Sequence, residues 1–563
     1  MRSGTLAASS GAVALPRNTR RLGWIVPAAI VALTLVVGTV HITDETYVAL
    51  QGDTPRYLMN GVFFFDLAHD ASIVGRDIRQ YAEQYYARYP ALSLGFHPIL
   101  PSLLVVPVFE LFGISVSSAR VVPLVSFMAS ALLLLWLVER IYDRQVALAA
   151  VVIFVSSPFA ARYSRSFMSE MPALAMVMAA VFFCERYREC RRRLDLGLLV
   201  AFTVLSLYGK QLAALMVPVY AVYLVWRGGG VKRFMNVKFA IGAIIAAAVV
   251  VPLISMTLVL SGHNVRWIVQ AATSHAQFDY VTILVRALVS QVTWPIIALA
   301  AIGLVRALWT RDARSTLFIL WVSAFVLLVV LVIKDVGADR YTIYWVPAIC
   351  TLAATGTIGW RSRPIASVAI VLLFVSVGWE ALLASSVNLA GAGGYEDAAR
   401  YVVEHTHGNA TVLFSGDLDT GYFVFFVRKH DLNRRLVVLR SDKILTTSYM
   451  GDVSYKEQIE PAQVDEVLGE FGTQFVVIED RPSSSRALEW LRNRVKRPPY
   501  VERLRVQIRS SDGRLNDVDL AVFENVGVGP PNPDAKMRLD LPIAKLVIDL
   551  RLGDVFAGPG RRE

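Results

Sequence analysis

Asp53-Thr54-Pro55-Arg56-Tyr57, followed after three residues by Gly61-Val62-Phe63-Phe64-Phe65, is a polar step that leads into an aromatic, apolar run. Twelve residues separate it from a hydrophobic segment running from Leu22 to Val40. The loop it opens ends in a histidine–proline step, His97-Pro98. A span, a carboxylate beyond its end and an amphipathic helix in the boundary place acid–base chemistry where water meets lipid. Asp-x-Pro is also a good helix start, because Asp caps free backbone N–H groups and Pro is accommodated in the first turn. Asp53 can therefore be a cap, a general base toward a hydroxyl, or both.

The surrounding composition is that of a membrane protein. Of 563 residues, 55% are hydrophobic and 18% charged, and the mean hydropathy is +0.50. Soluble domains carry about 25% charged residues. The net charge of +11 resides mostly in arginine clusters between apolar runs, where it orients spans. Outside those clusters the sequence has no basic face interleaved with aromatics, which argues against a nucleic-acid partner. Cys184, Cys190 and Cys350 have neither disulfide-framework nor CxxC spacing.

Residues 1–21 form a cytoplasmic tail with Arg2, Arg17, Arg20 and Arg21. Gly38-Thr39-Val40-His41 is a poor cleavage site, so Leu22–Val40 reads as an uncleaved first span. Further spans are expected near 117–138, 145–160, 167–184, 195–208, 211–226, 237–260, 282–305, 315–333, 341–359 and 364–386, about eleven in all. This scheme puts Arg140 and Arg144, Arg186 to Arg193, Arg227 to Lys238, Arg306 to Arg314, and Arg361 with Arg363 on one side. A membrane domain over 22–390 then has a first outer loop at 42–116, in which apolar Pro98–Phe112 lies along the surface. The fold class expected is a polytopic α-helical membrane protein in a bacterial-type inner membrane. Residues 391–563 fall on the face opposite the arginines, as an extracytoplasmic domain. There Ala410–Phe414, Leu436–Leu439 and Gln474–Ile478 read as buried strands, with helical patterns at Tyr395–Glu404 and Pro461–Phe471 between them. That alternation predicts a small α/β domain with a mostly parallel sheet. Gly416–Gly421 reads as a tight turn capping a helix, and the tail beyond Gly527, with Pro530, Pro531 and Pro533, as an extended arm.

Several other polar residues stand out. Asp44 and Glu45 form a second acidic site on the first loop, either a solvated turn or a metal or substrate partner. Glu170, in Ser166-Phe167-Met168-Ser169-Glu170-Met171-Pro172, is a carboxylate entering a membrane helix, and such residues are functional candidates by default. Its alternative is an ion pair with Arg162 or Arg165. His97 at a helix start suits a phosphate or a metal. Lys210 breaks two apolar runs, and Lys334, Arg340 and Tyr341 cluster on the outer side. Cations there can clamp a headgroup phosphate or snorkel. His263 and His275 lack metal-ligand spacing.

Together these residues resemble the GT-C superfamily of polyprenyl-phosphate-sugar glycosyltransferases, in the branch of protein O-mannosyltransferases and bacterial aminoarabinose (lipid A) transferases. Over roughly residues 20–390, four elements match in order. Asp53-Thr54-Pro55-Arg56-Tyr57 is similar to the first-loop D-x-x-R-Y element, and Gly95–Leu100 to the "HPPL/KPPL" element. Phe112-Gly113 through Arg120 is similar to "FG…aaR", and Ser166–Pro172 to the acidic-x-P step. The resemblance implies that Asp53 deprotonates an acceptor hydroxyl, with Glu170 as the second catalytic carboxylate. The hydroxyl then displaces polyprenyl phosphate with inversion. Arg56, Tyr57, His97, Lys210, Arg340 and Tyr341 are the expected substrate-binding residues. A divalent metal is left open, with Asp44, Glu45 and His97 as its candidate ligands. The partners implied are a polyprenyl-phosphate-linked sugar donor, a lipid, glycan or protein acceptor, and membrane lipid. Departures are Ile99 in place of the second proline and Glu170 where aspartate is common. Rival classes are a flippase for lipid-linked sugars, disfavoured because no internal repeat is visible, and a non-catalytic scaffold displaying the C-terminal domain.

Overall fold

The computed structural model describes residues 17–44, 53–70, 77–94, 96–230, 237–260, 280–331, 339–360, 362–386, 391–416, 420–448, 455–457, 459–483, 485–510, 517–541 and 546–558. Glu45, His263, His275, Lys334 and the turn at 417–419 lie outside them.

Up to residue 386 the described chain is helical. After α1 (Arg17–Gly38), the first loop folds as α2 (Thr54–His69), α3 (Ile78–Arg88), α4 (Leu100–Leu104) and α5 (Val106–Phe112). The bundle follows as α6 (Val116–Ile141), α7 (Arg144–Ser156), α8 (Pro158–Ser164), α9 (Glu170–Cys190), α10 (Arg193–Gly209), α11 (Met216–Gly228) and α12 (Val237–Leu260). It closes with α13 (Tyr280–Gln291), α14 (Trp294–Trp309), α15 (Thr316–Leu331), α16 (Val346–Thr357) and α17 (Arg363–Ser386). By length and composition, four described stretches can cross a bilayer: 116–141, 211–228, 313–330 and 363–386. The number becomes six if each of two bent pairs is one span. This is a multi-pass membrane protein. Residues 100–112 form a shorter apolar stretch packed on α2 and α6.

The bent pairs show how broken helices are satisfied inside lipid, where freed backbone groups must find partners in the protein. α7 and α8 meet at 63°, and the 282–291 helix meets α14 at 108°. Glu380 of α17, fully buried, serves both breaks. It accepts from Ser156 Oγ at 3.1 Å and from the Thr293 backbone N–H at 3.1 Å. Ser157 Oγ donates across to the Gln291 carbonyl at 2.8 Å. α14 and α16 touch backbone to backbone. A Cβ on Gly303 would lie 1.9 Å from the Leu352 carbonyl oxygen, and one on Gly356 would lie 2.2 Å from that of Leu299. Small residues at such a crossing let membrane helices approach closely.

Beyond residue 391, β1 (Ala392–Gly393) and α18 (Tyr395–Glu404) precede a five-stranded sheet. Its strands are β2 (Ala410–Ser415), β3 (Leu436–Arg440), β6 (Thr473–Glu479), β7 (Tyr500–Gln507) and β9 (Asp519–Asn525), in the order β3-β2-β6-β9-β7. α19 (Thr420–His430) crosses from β2 to β3. Other elements around the sheet are α20 (Ser441–Ile444), the β4 (Thr446–Ser448) and β5 (Tyr455–Glu457) pair, α21 (Val464–Glu470), α22 (Arg486–Arg494) and β8 (Arg509–Ser510). β3, β2 and β6 pair in parallel, but β9 runs antiparallel to both of its neighbours, β6 and β7. The sheet is therefore mixed rather than mostly parallel. The reversal is β9, inserted antiparallel between β6 and β7, and β7, with its charged, largely exposed residues (Glu502, Arg503, Arg505), is the edge strand beyond it. The tail is not an extended arm. β10 (Lys536–Leu541) and β11 (Leu546–Arg551) form an antiparallel hairpin, closed by α23 (Leu552–Phe556). The alternation that buries Met537 and Leu539 is what makes the segment a strand. One apolar core runs from the bundle through Phe63, Tyr85 and Tyr89 into Tyr395, Tyr422 and Phe425 of this domain.

Candidate active site

Asp53 stands at the N-cap position of α2, yet among the described residues its carboxylate caps no backbone N–H. It turns instead to Arg340, whose Nη1 lies 2.7 Å from Oδ2. Thr54, buried, is hydrogen-bonded to Met168 Sδ at 3.2 Å, and Pro55 sets the first turn. The next turn presents Arg56 half-buried and Tyr57 buried. Tyr57 stacks obliquely on His97, with ring centroids 5.1 Å apart.

Asn60, fully buried one turn further on, fixes the His97 turn to α2. Its Nδ2 donates to Ser93 Oγ at 3.3 Å, and its Oδ1 accepts from the Ser93 backbone N–H at 3.0 Å. The His97 N–H in turn donates to the Ser93 carbonyl at 3.1 Å. His97 Nε2 is 3.7 Å from Asp53 Oδ1, too far for a hydrogen bond. It is buried without a hydrogen-bond partner among the described residues.

A second ion pair lies alongside. Glu170 opens α9, fully buried, and pairs with Lys210 Nζ at the end of α10. Lys210 Nζ also stands 4.9 Å from the centre of the Tyr341 ring. Arg340 approaches the same ring at 5.0 Å and donates to its hydroxyl at 3.1 Å. Tyr341 is thus the common neighbour of both cations, and through them of both carboxylates.

The electrostatics follow from this packing. Burial pushes the Asp53 pKa up, but His97, Arg340 and Arg56 outweigh it and hold the carboxyl below its ordinary value. Burial depresses His97 to about 4, although Asp53 beside it opposes the shift. At neutral pH His97 is therefore uncharged, and Arg340 with Arg56 keeps Asp53 ionised. Burial would lower the Arg340 pKa, but Asp53 and Glu170 raise it well above the ordinary value, so its charge is permanent. Tyr57 is raised by burial, then by Glu170 and Asp53, and stays protonated. Three cations (Arg56, Lys210, Arg340) face two carboxylates. Arg340 and Lys210 each pair with one of the carboxylates, and Arg56 stands near enough to Asp53 to help hold it ionised.

The structure thus brings Asp53, Arg56, Tyr57, His97, Glu170, Lys210, Arg340 and Tyr341 together. The Asp44 carbonyl, with those of His41 and Ile42, accepts from buried Arg120 at 2.6, 2.7 and 3.2 Å respectively. Among the described residues no three His, Cys, Asp or Glu side chains converge as a metal set; Glu45, the third candidate ligand, lies outside them. Arg165 donates to the carbonyls of Val37 and Ala384; the partner that Glu170 takes is Lys210. Asn60 was not singled out from the sequence, although a lone amide inside Leu58-Met59-Asn60-Gly61 was the available signal.

Residues 96–256 match the family model described as dolichyl-phosphate-mannose-protein mannosyltransferase. No curated protein matches the chain in sequence. Among solved structures, the chain is similar to ArnT from Cupriavidus metallidurans in the apo state, at 14% identity with a TM-score of 0.56, covering 91% of this chain and all of that one. The same protein bound to undecaprenyl phosphate gives 16% identity and a TM-score of 0.56, over 90% of this chain and 99% of that one. The oligosaccharyltransferase AglB from Archaeoglobus fulgidus, in complex with an inhibitory peptide and a dolichol-phosphate, matches at 12% identity and a TM-score of 0.54, over 82% and 70%. At these identities the likeness is one of fold.

Proposed function

We propose that this chain, which has the fold of the GT-C membrane glycosyltransferases, moves a sugar from a polyprenyl-phosphate donor to an acceptor hydroxyl on the outer face of the membrane, with inversion. The observation that carries the reading is the pair of carboxylates gathered about Tyr341: Asp53 on Arg340, and Glu170 on Lys210. Asp53 takes the proton of the acceptor hydroxyl. The hydroxyl oxygen bonds to the anomeric carbon as the bond from that carbon to the phosphate oxygen breaks, and polyprenyl phosphate leaves with the electron pair.

Arg340 and Lys210 stabilise the charge that grows on the departing phosphate. Neutral His97, whose Nε2 lies unbonded within the described site, offers a further hydrogen bond. Glu170 holds Lys210 in place. The lipid phosphates in the ArnT and AglB structures support a lipid-linked donor. In this reading about eleven spans place the C-terminal domain outside a bacterial-type inner membrane.

The test is transfer from a panel of radiolabelled polyprenyl-phosphate sugars by purified protein in lipid nanodiscs. Wild type should label an acceptor, and Asp53→Asn should lose about 10²–10⁴-fold in rate. Transfer by Asp53→Asn at more than about half the wild-type rate would remove the base assignment. Lipid-linked sugar crossing the bilayer without transfer would favour the flippase.

A further inference from the structure

We infer that the C-terminal domain is a positioning element for the active site, and that Asp66 is the residue through which it holds the Asp53-bearing helix. The inference rests on the reading of Asp53 as the base, and it gives the domain a task beyond that reading.

α2 has two ends with different surroundings. Its first turn carries Asp53, Arg56 and Tyr57. Its last turns carry Asp66, thirteen residues on, which at 1.5 Å per residue is about 20 Å along the helix axis. Asp66 is 1% exposed. Its Oδ2 accepts from Arg428 Nε at 2.9 Å and from Tyr85 Oη at 2.6 Å. Its Oδ1 takes Arg428 Nη2 at 2.5 Å and lies 2.8 Å from Arg434 Nη2. Both arginines belong to the C-terminal domain, on α19 and the turn after it, and both are buried. Arg434 has φ +53, in the left-handed region that non-glycine residues seldom occupy. That unfavourable conformation accompanies the contact of its guanidinium with Asp66.

The other half of the site is held in the same way. Buried Arg88, at the end of α3, donates to the carbonyls of Val555 and Phe556 in the last helix of the chain, the latter at 3.0 Å. Arg440, at the end of β3, donates to the Pro90 carbonyl at 2.8 Å. Between Pro90 and His97 lies Ser93, which Asn60 ties back to α2. The C-terminal domain therefore grips both segments that deliver Asp53 and His97, at points outside the reacting cleft. A mere packing interface would be met by apolar contact. A carboxylate buried against two arginines is instead a directional joint, because each hydrogen bond fixes an angle as well as a distance.

A misplacement of about 1 Å at a reacting group can cost about 10²-fold in rate. Asp66→Asn and Arg428→Gln, made in the full chain in nanodiscs, should lower kcat by about 10–10²-fold while the donor KM changes by less than about threefold, since Arg340 and Lys210 stay where they are. Hydrogen exchange in the same samples should rise by about fivefold or more in peptides covering 53–60 and 93–97. Arg88→Met, which removes only a donor to two carbonyls, serves where the ion-pair variants fail to fold. Asp465→Asn, which opens an exposed pair with Arg494 on the same domain, should change neither reading.

Unchanged exchange at 53–60 in a folded Asp66→Asn would overturn the inference, as would faster exchange with kcat per folded molecule unaltered. If exchange rises as expected but wild type transfers no sugar from any donor, the clamp stands and the transferase reading falls.

Discussion

Asp53 is where the two readings of an Asp-x-Pro step separate. A cap would have pointed its carboxylate at the backbone N–H groups of the second or third helical residue. Here the carboxylate leaves them for Arg340, and α2 begins without it. Asp53→Ala should therefore cost less helix stability than the roughly 1 kcal/mol of a lost cap, while activity falls as in Asp53→Asn; thermal unfolding beside a transfer assay separates the two. His97 gives a pH signature. Its folded pKa of about 4 lies below the unfolded value of about 6.5, so the unfolded chain binds more protons between those values. Stability from this residue is complete above about pH 6.5 and is lost as pH falls toward about 4, by on the order of 3 kcal/mol in total. Asp53, held below its ordinary value, loses its contribution only at still lower pH. Unfolding of wild type and His97→Gln across this window should show the variant with the flatter profile; parallel profiles would mean that His97 is not a neutral, buried group. The polar residues that the sequence singled out at outer span ends do meet, because topology alone forces residues at like ends of antiparallel helices into one layer. Asn60 and Asp66 were not legible this way. Both lie inside a helix whose apolar neighbours dominate its pattern, and their partners are distant in sequence.

Most helical elements were legible from apolar runs, but the breaks inside them were not. The run 145–160 reads as one span because every residue but a few is apolar; the bend at Ser157-Pro158 needs Glu380, more than two hundred positions away, to satisfy what it exposes. The C-terminal sheet shows the same limit. Buried parallel strands announce themselves as continuous apolar runs, whereas β7 and the β10–β11 hairpin are half polar. They emerge only once their partners are known. Between elements, the contact of α14 with α16 is the most demanding. Gly303→Ala would place a methyl 1.9 Å from a backbone carbonyl, so the helices must part. The expected cost is about 1–3 kcal/mol, as for an overpacked core, and because α16 directly follows the turn that carries Arg340, activity should fall with it. Gly378→Ala on α17 meets nothing within 4 Å and should be neutral or stabilising by up to about 1 kcal/mol. Thermal unfolding of the two variants in the same detergent decides the matter, and equal midpoints would discount the close crossing.

At the scale of the whole molecule, orientation and chemistry are one question. Asp66 on α2 is bound to Arg428 of the C-terminal domain, so Asp53 and that domain must lie on the same side of the membrane, whichever side it is. The proposed orientation has them outside, opposite the arginine-rich turns, because positive charge is retained on the cytoplasmic side. The chain carries its own probe for the other face. Cys190 is exposed beside Arg140, Arg191 and Arg192, whereas Cys184 and Cys350 are buried. A membrane-impermeant maleimide should fail to label wild type in intact spheroplasts and should label Cys190 once the membrane is opened. Leu432→Cys, at a position 74% exposed on the C-terminal domain, should be labelled without opening. The reverse pattern would turn the molecule over and carry Asp53 with it. The donor would then have to present its sugar on the cytoplasmic face, and a transferase acting on the outer face would be excluded by the same joint that positions its base.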